Sequence, residues 1–208
     1  PIKGLARIRF LTSHPNFMSR RIIRTIASLE KVCQHINLPF QAGDDNVLES
    51  MRRGYTLDDY RSIIGIIREA IPGVALSTDV IVGFCGETAA QFQVTHDLLQ
   101  ELRFDKVHLA AYSNRSGTIA SRKMEDDVPQ EEKLHRLKTL ESLQEGIASE
   151  LNARLLGRTE EVLVDGHERG KWRGRTRTDK LVFFTDAERE HYGELAQVRI
   201  TQTGPWSL

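Results

Sequence analysis

The chain has 208 residues, 39% hydrophobic and 28% charged, and its 29 basic and 29 acidic side chains leave a formal net charge of zero. That balance describes an ordinary globular chain of one large domain, or one domain with a small module, and excludes a uniformly basic nucleic-acid scaffold. No run of about 18 apolar residues reads as a membrane helix. Two cysteines, Cys33 and Cys85, give neither a disulfide framework nor metal-ligand spacing, so a reduced, cytoplasmic protein is expected. The charge is uneven along the chain: Lys3, Arg7, Arg9, Arg20, Arg21 and Arg24 face only Glu30 within the first thirty residues, and a second basic run lies at residues 169–180. The opening residues Pro1-Ile-Lys-Gly-Leu resemble neither a signal peptide nor a natural start, so the chain reads as a piece of something longer.

Strand and helix signals alternate from the start. Arg7–Leu11 reads as a strand, and Ser19 caps a helix whose Ile22, Ile23, Ile26 and Leu29 share one side. His35–Phe40 reads as a second strand, followed by the loop Gln41–Asp45 and a short helix, Asn46 to Arg53, stopped by Gly54. Thr56 opens a helix that ends before Pro72-Gly73. Val74–Val82 is a third strand, Thr88 opens the helix after it, and Val107–Tyr112 is a fourth strand. Strand starts spaced roughly 30–40 residues apart are those of βα crossover units and imply a parallel sheet, half of an eight-stranded barrel. A polar link, Ser113 to Gln130, leads to a long helix from near Pro129 with a stripe of Leu134, Leu137, Leu140, Leu143, Ile147, Leu151 and Leu155, ended by Gly157. From Arg158 the period changes. Val162–Val164, Leu181–Phe184 and Gln197–Ile200 are short strands of a small all-β barrel or sandwich. The expected division is a βα half-barrel over 1–128, a linking helix over 129–157 and the small β unit over 158–208.

Three places carry candidate chemistry. In Ser77–Thr88 an apolar strand stops at the turn Gly83-Phe-Cys-Gly86 and a helix begins with Thr88-Ala-Ala-Gln91, which has capping-box form. The carboxyl end of a parallel strand is where α/β folds bind ligands, and Asp79 and Glu87 bring carboxylates there. Tyr112-Ser-Asn-Arg115 falls on the same rim, where Arg115 is an anion clamp or an ordinary turn residue. Asp44 and Asp45 either accept from ribose hydroxyls or cap the following helix. On the β unit, Lys171, Arg173, Arg175 and Arg177 occupy every second position beside Trp172 and ahead of Lys180. On a strand they share one face, either an RNA-binding strip or a solvated edge kept basic against edge pairing. His35 and His108 read as core or rim histidines, and Cys85 has no basic neighbour in sequence that would make it a nucleophile.

Taken together, Leu38-Pro-Phe-Gln-Ala-Gly-Asp44 with Met51-Arg-Arg-Gly-Tyr-Thr56, Ser77–Phe84 with Gly86-Glu-Thr88, Tyr112-Ser-Asn-Arg-Ser-Gly-Thr118 and Gly174–Phe184 resemble the later part of a radical S-adenosylmethionine (SAM) methylthiotransferase, over residues 5–208. The branch it resembles most adds a 2-methylthio group to isopentenyladenosine beside the tRNA anticodon. The sister branch that modifies a ribosomal-protein aspartate and a truncated, non-catalytic RNA-binding protein are the alternatives. The resemblance implies a partial TIM barrel followed by a TRAM domain, a small RNA-binding β-barrel. It implies SAM contacts at Gln41, Gly43, Thr78, Asp79, Gly83, Glu87, Tyr112 and Arg115. It also implies contacts to a tRNA anticodon stem-loop through Lys171, Trp172, Arg173, Arg175, Arg177 and Lys180. Ala42-Gly43-Asp44 stands where the family has Ser-Gly-Ser, and Cys85 where it has proline. The Cys-x3-Cys-x2-Cys run that holds the family's SAM-cleaving [4Fe–4S] cluster does not occur in these 208 residues, so an N-terminal half of the same enzyme is the expected partner and this chain alone is expected to be inactive.

Overall fold

The computed structural model describes residues 2–11, 13–187 and 189–208. Ser19 caps α1 (Arg20–Ser28) as expected, its hydroxyl accepting from the Ile22 N–H. Then follow β1 (His35–Asn37), α2 (Asp45–Ser50), α3 (Leu57–Ala70), β2 (Ala75–Val82), α4 (Ala89–Leu102) and β3 (Lys106–Ala111). The three strands are parallel, in the order β1-β2-β3. Both halves of the Thr88/Gln91 capping box form at α4, and Thr56 makes another with Asp59 at α3. Where the sequence allows Asp45 as a cap, Asp44 takes the role: its carboxylate accepts from the N–H groups of Asn46 and Val47.

Alternation sorts the strand side chains into two faces. Ile36, Leu38, Leu76, Val80 and Val82 are fully buried under the helices. Asn37, Ser77, Asp79, Ile81, His108 and Ala110 lie on the other, concave face, where Ser77 donates to Asn37 Oδ1 at 2.8 Å and stands 3.0 Å from His35 Nε2. β1 is shorter than expected because Pro39 has no N–H for the ladder. Pairing resumes at Gln41, whose backbone bonds to Asp79 and Ile81 with φ at 73°.

The first expected strand, Arg7–Leu11, is only a bridge between Ile8 and Val32. Its arginines leave for the C-terminal sheet instead. Arg7 donates to the carbonyls of Arg175 and Glu161, and Arg9 to Asp179 and the Thr176 carbonyl.

The polar link contains α5 (Ile119–Lys123), which the sequence did not suggest, and α6 (Gln130–Ala153) packs along β3 and α4. The expected stripe holds in part: Leu140 and Ile147 are buried and Leu137 and Leu143 pack against the core. Leu134 is exposed, whereas Lys133, Arg136, Leu140, Gln144, Ile147, Ala148 and Asn152 are buried. Polar partners on the body draw three further side chains inward: Lys133 pairs with Asp126, Arg136 with Glu87, and Gln144 donates to the Phe104 carbonyl at 3.0 Å.

The C-terminal unit is an antiparallel sheet of β4 (Thr159–Glu168), β5 (Lys171–Thr176), β6 (Leu181–Phe184) and β7 (Leu195–Arg199), ordered β6-β5-β4-β7. Among the described residues β6 and β7 are not paired, so the expected small barrel is an open half-barrel around Val162, Val182 and Ile200.

Candidate functional site

At the carboxyl ends of β2 and β3 lies a cavity of about 360 Å³. Ile81 and Phe84 come from the end of β2, Ala110 to Tyr112 from β3, Met51 and Arg53 from the end of α2, and Met124 from beyond α5. Its walls are apolar and aromatic. Phe84 and Tyr112 meet edge to face at 5.0 Å, and the Lys133 ammonium stands 5.2 Å from the Tyr112 ring centre. Burial, and then a hydrogen bond with Cys85, push the Tyr112 phenol above its ordinary range. Arg53 Nε is buried with no hydrogen-bond partner, and Arg115 lines the mouth. Met51, Arg53, Ile81 and Phe84 were not singled out as site residues. Their signal was position alone: a strand end, and the Met51-Arg-Arg-Gly54 turn facing it.

The residues expected at the SAM site divide into two groups. Tyr112 and Arg115 line the cavity, whereas Asp79 shares the concave face with Ile81 without lining it; among the described residues its carboxylate makes no hydrogen bond or ion pair. Thr78, Gly43, Gly83 and Glu87 serve the scaffold instead. Thr78 lies on the helix side with Val80; its hydroxyl donates to the Leu38 carbonyl and accepts from the Phe40 N–H. A Cβ on Gly43 would stand 2.3 Å from the Thr95 Cα, so this glycine answers to α4. Gly83 has φ at 70°, and a Cβ there would meet Lys133 Cγ at 2.3 Å. Gln41 contributes backbone pairing.

Glu87 is a buttress. Its carboxylate accepts from the Gly83 N–H and from Arg136 at 2.8 Å, with the two side chains 1% and 5% exposed. Arg136 also donates to the Glu87 carbonyl and to Glu132, which ties the glycine turn to α6. Burial pushes the Glu87 carboxyl above its ordinary range, opposed by the Gly83 N–H and by Arg136.

On the C-terminal sheet Lys171, Arg173 and Arg175 share the outer face of β5, alternating with buried Trp172, Gly174 and Thr176. The strand ends at Thr176, so Arg177 leaves that face and donates to the carbonyls of Glu30 and Val32. Lys180 pairs with Asp105 at 2.7 Å. Trp172 is turned inward, its indole N–H donating to the Asp186 carbonyl at 3.0 Å and its ring edge-on to His191, so it presents no face to a base. Arg173 pairs with Asp165 at 3.1 Å, and Arg175 stands 3.6 Å from Asp179. Arg7, Arg9, Arg177 and Lys180 thus clamp the two sheets together at the amino ends of the parallel strands, opposite the cavity.

Neither cysteine suits an iron–sulfur cluster. Both are buried, Cys33 before β1 and Cys85 after β2, so they lie at opposite ends of a parallel sheet. Among the described residues no group of three His, Cys, Asp or Glu is placed to hold a metal ion.

Residues 2–99 match the radical SAM superfamily and residues 153–208 match the TRAM domain. The chain thus carries radical SAM and TRAM domains. A protein of Roseiflexus sp. (strain RS-1) named tRNA-2-methylthio-N(6)-dimethylallyladenosine synthase is 56% identical over 100% of this chain and 44% of its own length. A protein of the same name from Herpetosiphon aurantiacus is 53% identical over 99% of this chain and 47% of its own. The chain therefore spans about half the length of these relatives. The radical SAM enzyme coproporphyrinogen III oxidase of Escherichia coli shares the fold, with a TM-score of 0.58 at 17% identity over 70% of this chain and 33% of that one.

Proposed function

We propose that this chain is the SAM-holding and RNA-contacting part of an enzyme that adds a methylthio group to carbon 2 of isopentenyladenosine beside the tRNA anticodon. The observation that carries this reading is identity above half, along the whole chain, to a relative named for that reaction. The cavity at the strand ends agrees with it.

The residues around the cavity fit SAM. Phe84 and Tyr112 suit its adenine and Arg53 with Arg115 the carboxylate. Asp79, two residues before Ile81 on the same strand face and outside the cavity's lining, would take a ribose hydroxyl or the ammonium of a ligand that extends along that face. Bound there, SAM supplies the methyl group and the radical chemistry of its superfamily. The chain's own part is to exclude water with Ile81, Phe84 and Met124, and to fix the rim through Glu87, Arg136 and Lys133. The residues present do not fit a [4Fe–4S] cluster, so no step is routed through one here; the cluster ligands belong to the partner half. The outer face of β5, with Lys171, Arg173 and Arg175, contacts the RNA backbone. Division at 1–128, 129–157 and 158–208 is part of the same reading, as is a cytoplasmic location. No helix among the described residues is long and apolar enough to cross a membrane.

The test is complementation. A bacterium lacking its own 2-methylthio activity, given this chain joined behind the N-terminal half of the Roseiflexus relative, should regain 2-methylthio-isopentenyladenosine in its digested tRNA by mass spectrometry. Unmodified isopentenyladenosine despite soluble enzyme, or a methylthio group on a ribosomal-protein aspartate instead, would overturn the reading.

A further inference from the structure

The mouth of the cavity is ringed by cations that meet no acid. Arg52 lines it from the end of α2 and Arg115 from the loop after β3, while Arg122 and Lys123 belong to α5, whose Ile119 and Ala120 line the same mouth. All four are exposed. Among the described residues none forms an ion pair, whereas Arg173, Arg175 and Lys180 on the C-terminal sheet are each held by a carboxylate. Among the described residues the one hydrogen bond from their head groups runs from Arg122 Nε to the carbonyl of Thr118, the cap of its own helix.

Arg52 adds an independent observation. Its φ is 59°, in the closing turn of α2, where its N–H bonds to the Glu49 carbonyl and the Arg53 N–H to the Leu48 carbonyl. That left-handed position favours glycine, and a long side chain there costs stability. Retaining an arginine against that cost points to a use for its side chain.

We propose that Arg52, Arg122 and Lys123 bind the phosphates of a single-stranded RNA segment whose base reaches the mouth of the cavity. The proposal rests on the RNA-modifying reading above and adds to it the place where the strand is held. The three cations come from two separate segments, the end of α2 and α5, and border an opening rather than converge on a point, as suits a strand passing across it. Ile119, exposed at the mouth, offers an apolar surface to an unstacked base. On the C-terminal sheet Arg173, Arg175 and Lys180 are already engaged, whereas the rim cations have no carboxylate to leave before meeting a phosphate.

The experiment is a salt titration of an unmodified anticodon stem-loop RNA against the 208-residue chain by fluorescence anisotropy. Arg115 is left intact because it is also expected at SAM. The variant R52Q/R122Q/K123Q should flatten the slope of log K against log salt by about two, and weaken binding at 0.1 M salt about a hundredfold, since each single-strand phosphate contact contributes about 0.7 to the slope. The control R20Q/R21Q/R24Q neutralises three exposed cations on α1 and should change little. R52G separates binding from folding: it should raise the Tm by about 2–4 °C while flattening the slope. RNA binding that survives the rim variant unchanged, or falls equally in the α1 control, overturns the inference and leaves the RNA reading standing. A wild-type chain that binds no RNA overturns both.

Discussion

Arg136→Ala should destabilise the chain by about 3–5 kcal/mol, because it strands a buried carboxylate. Glu87 is buried, and among the described residues Arg136 is the only side chain that bonds to its oxygens. At this chain length the loss corresponds to a fall in Tm of roughly 6–20 °C. The penalty should also depend on pH. Without the guanidinium, burial acts on Glu87 with only the Gly83 N–H to oppose it, so its carboxyl moves further above the ordinary range. A raised folded-state value means that the neutral form is favoured in the folded chain. Its contribution is then fully present below the unfolded value and is lost as pH rises through the folded one. Arg136→Ala should therefore be closer to wild type at pH 5 than at pH 8, by thermal melting at both. Glu87→Leu with Arg136→Met should recover much of the loss, because two apolar groups leave no charge behind. A single variant that melts like wild type at pH 8 would show that the pair carries no structural role.

Gly43→Ala should cost at least about 3 kcal/mol, at the upper end of overpacking penalties. The added methyl would stand 2.3 Å from the Thr95 Cα and 2.7 Å from its backbone nitrogen. Those atoms belong to α4, so no flexible side chain can give way. The Gly43 N–H also donates to Thr95 Oγ1 at 2.9 Å, a bond that separation would break. Circular dichroism melting measures the loss. An unchanged Tm would mean that the loop and α4 have room to part, and that the glycine serves something else.

Much of the βα body was legible because its signals are local. The Thr88/Gln91 capping box, the stop at Gly83 and the apolar runs of β2 and β3 depend on neighbours a few residues away. Even Thr78 could have been placed correctly. It shares the parity of Val80 and Val82, which puts it under the helices, while Asp79 faces the other way. What was not legible depends on partners distant in sequence. The apolar stripe of α6 is buried at Leu140 and Ile147, but Lys133 and Arg136 share its inner face, and their partner carboxylates, Asp126 and Glu87, lie outside the helix. The basic alternation at 171–177 was read as one strip. β5 stops at Thr176, and the clamp to the first body takes Arg177 and Lys180, an arrangement that needs Glu30, Val32 and Asp105 to be in place. The glycines were read as room for a ligand, whereas Gly43 and Gly83 are close approaches to α4 and α6.

The central claim is that the cavity at the strand ends receives SAM. The most direct measurement is a backbone-amide NMR titration of the chain with S-adenosylhomocysteine. The account predicts shifts concentrated at residues 51–53, 81–84 and 110–115, with the C-terminal sheet silent, and at least tenfold weaker binding in Asp79→Asn. Shifts centred on β4–β7, or binding untouched by Asp79→Asn with amides 81–84 unmoved, would contradict it.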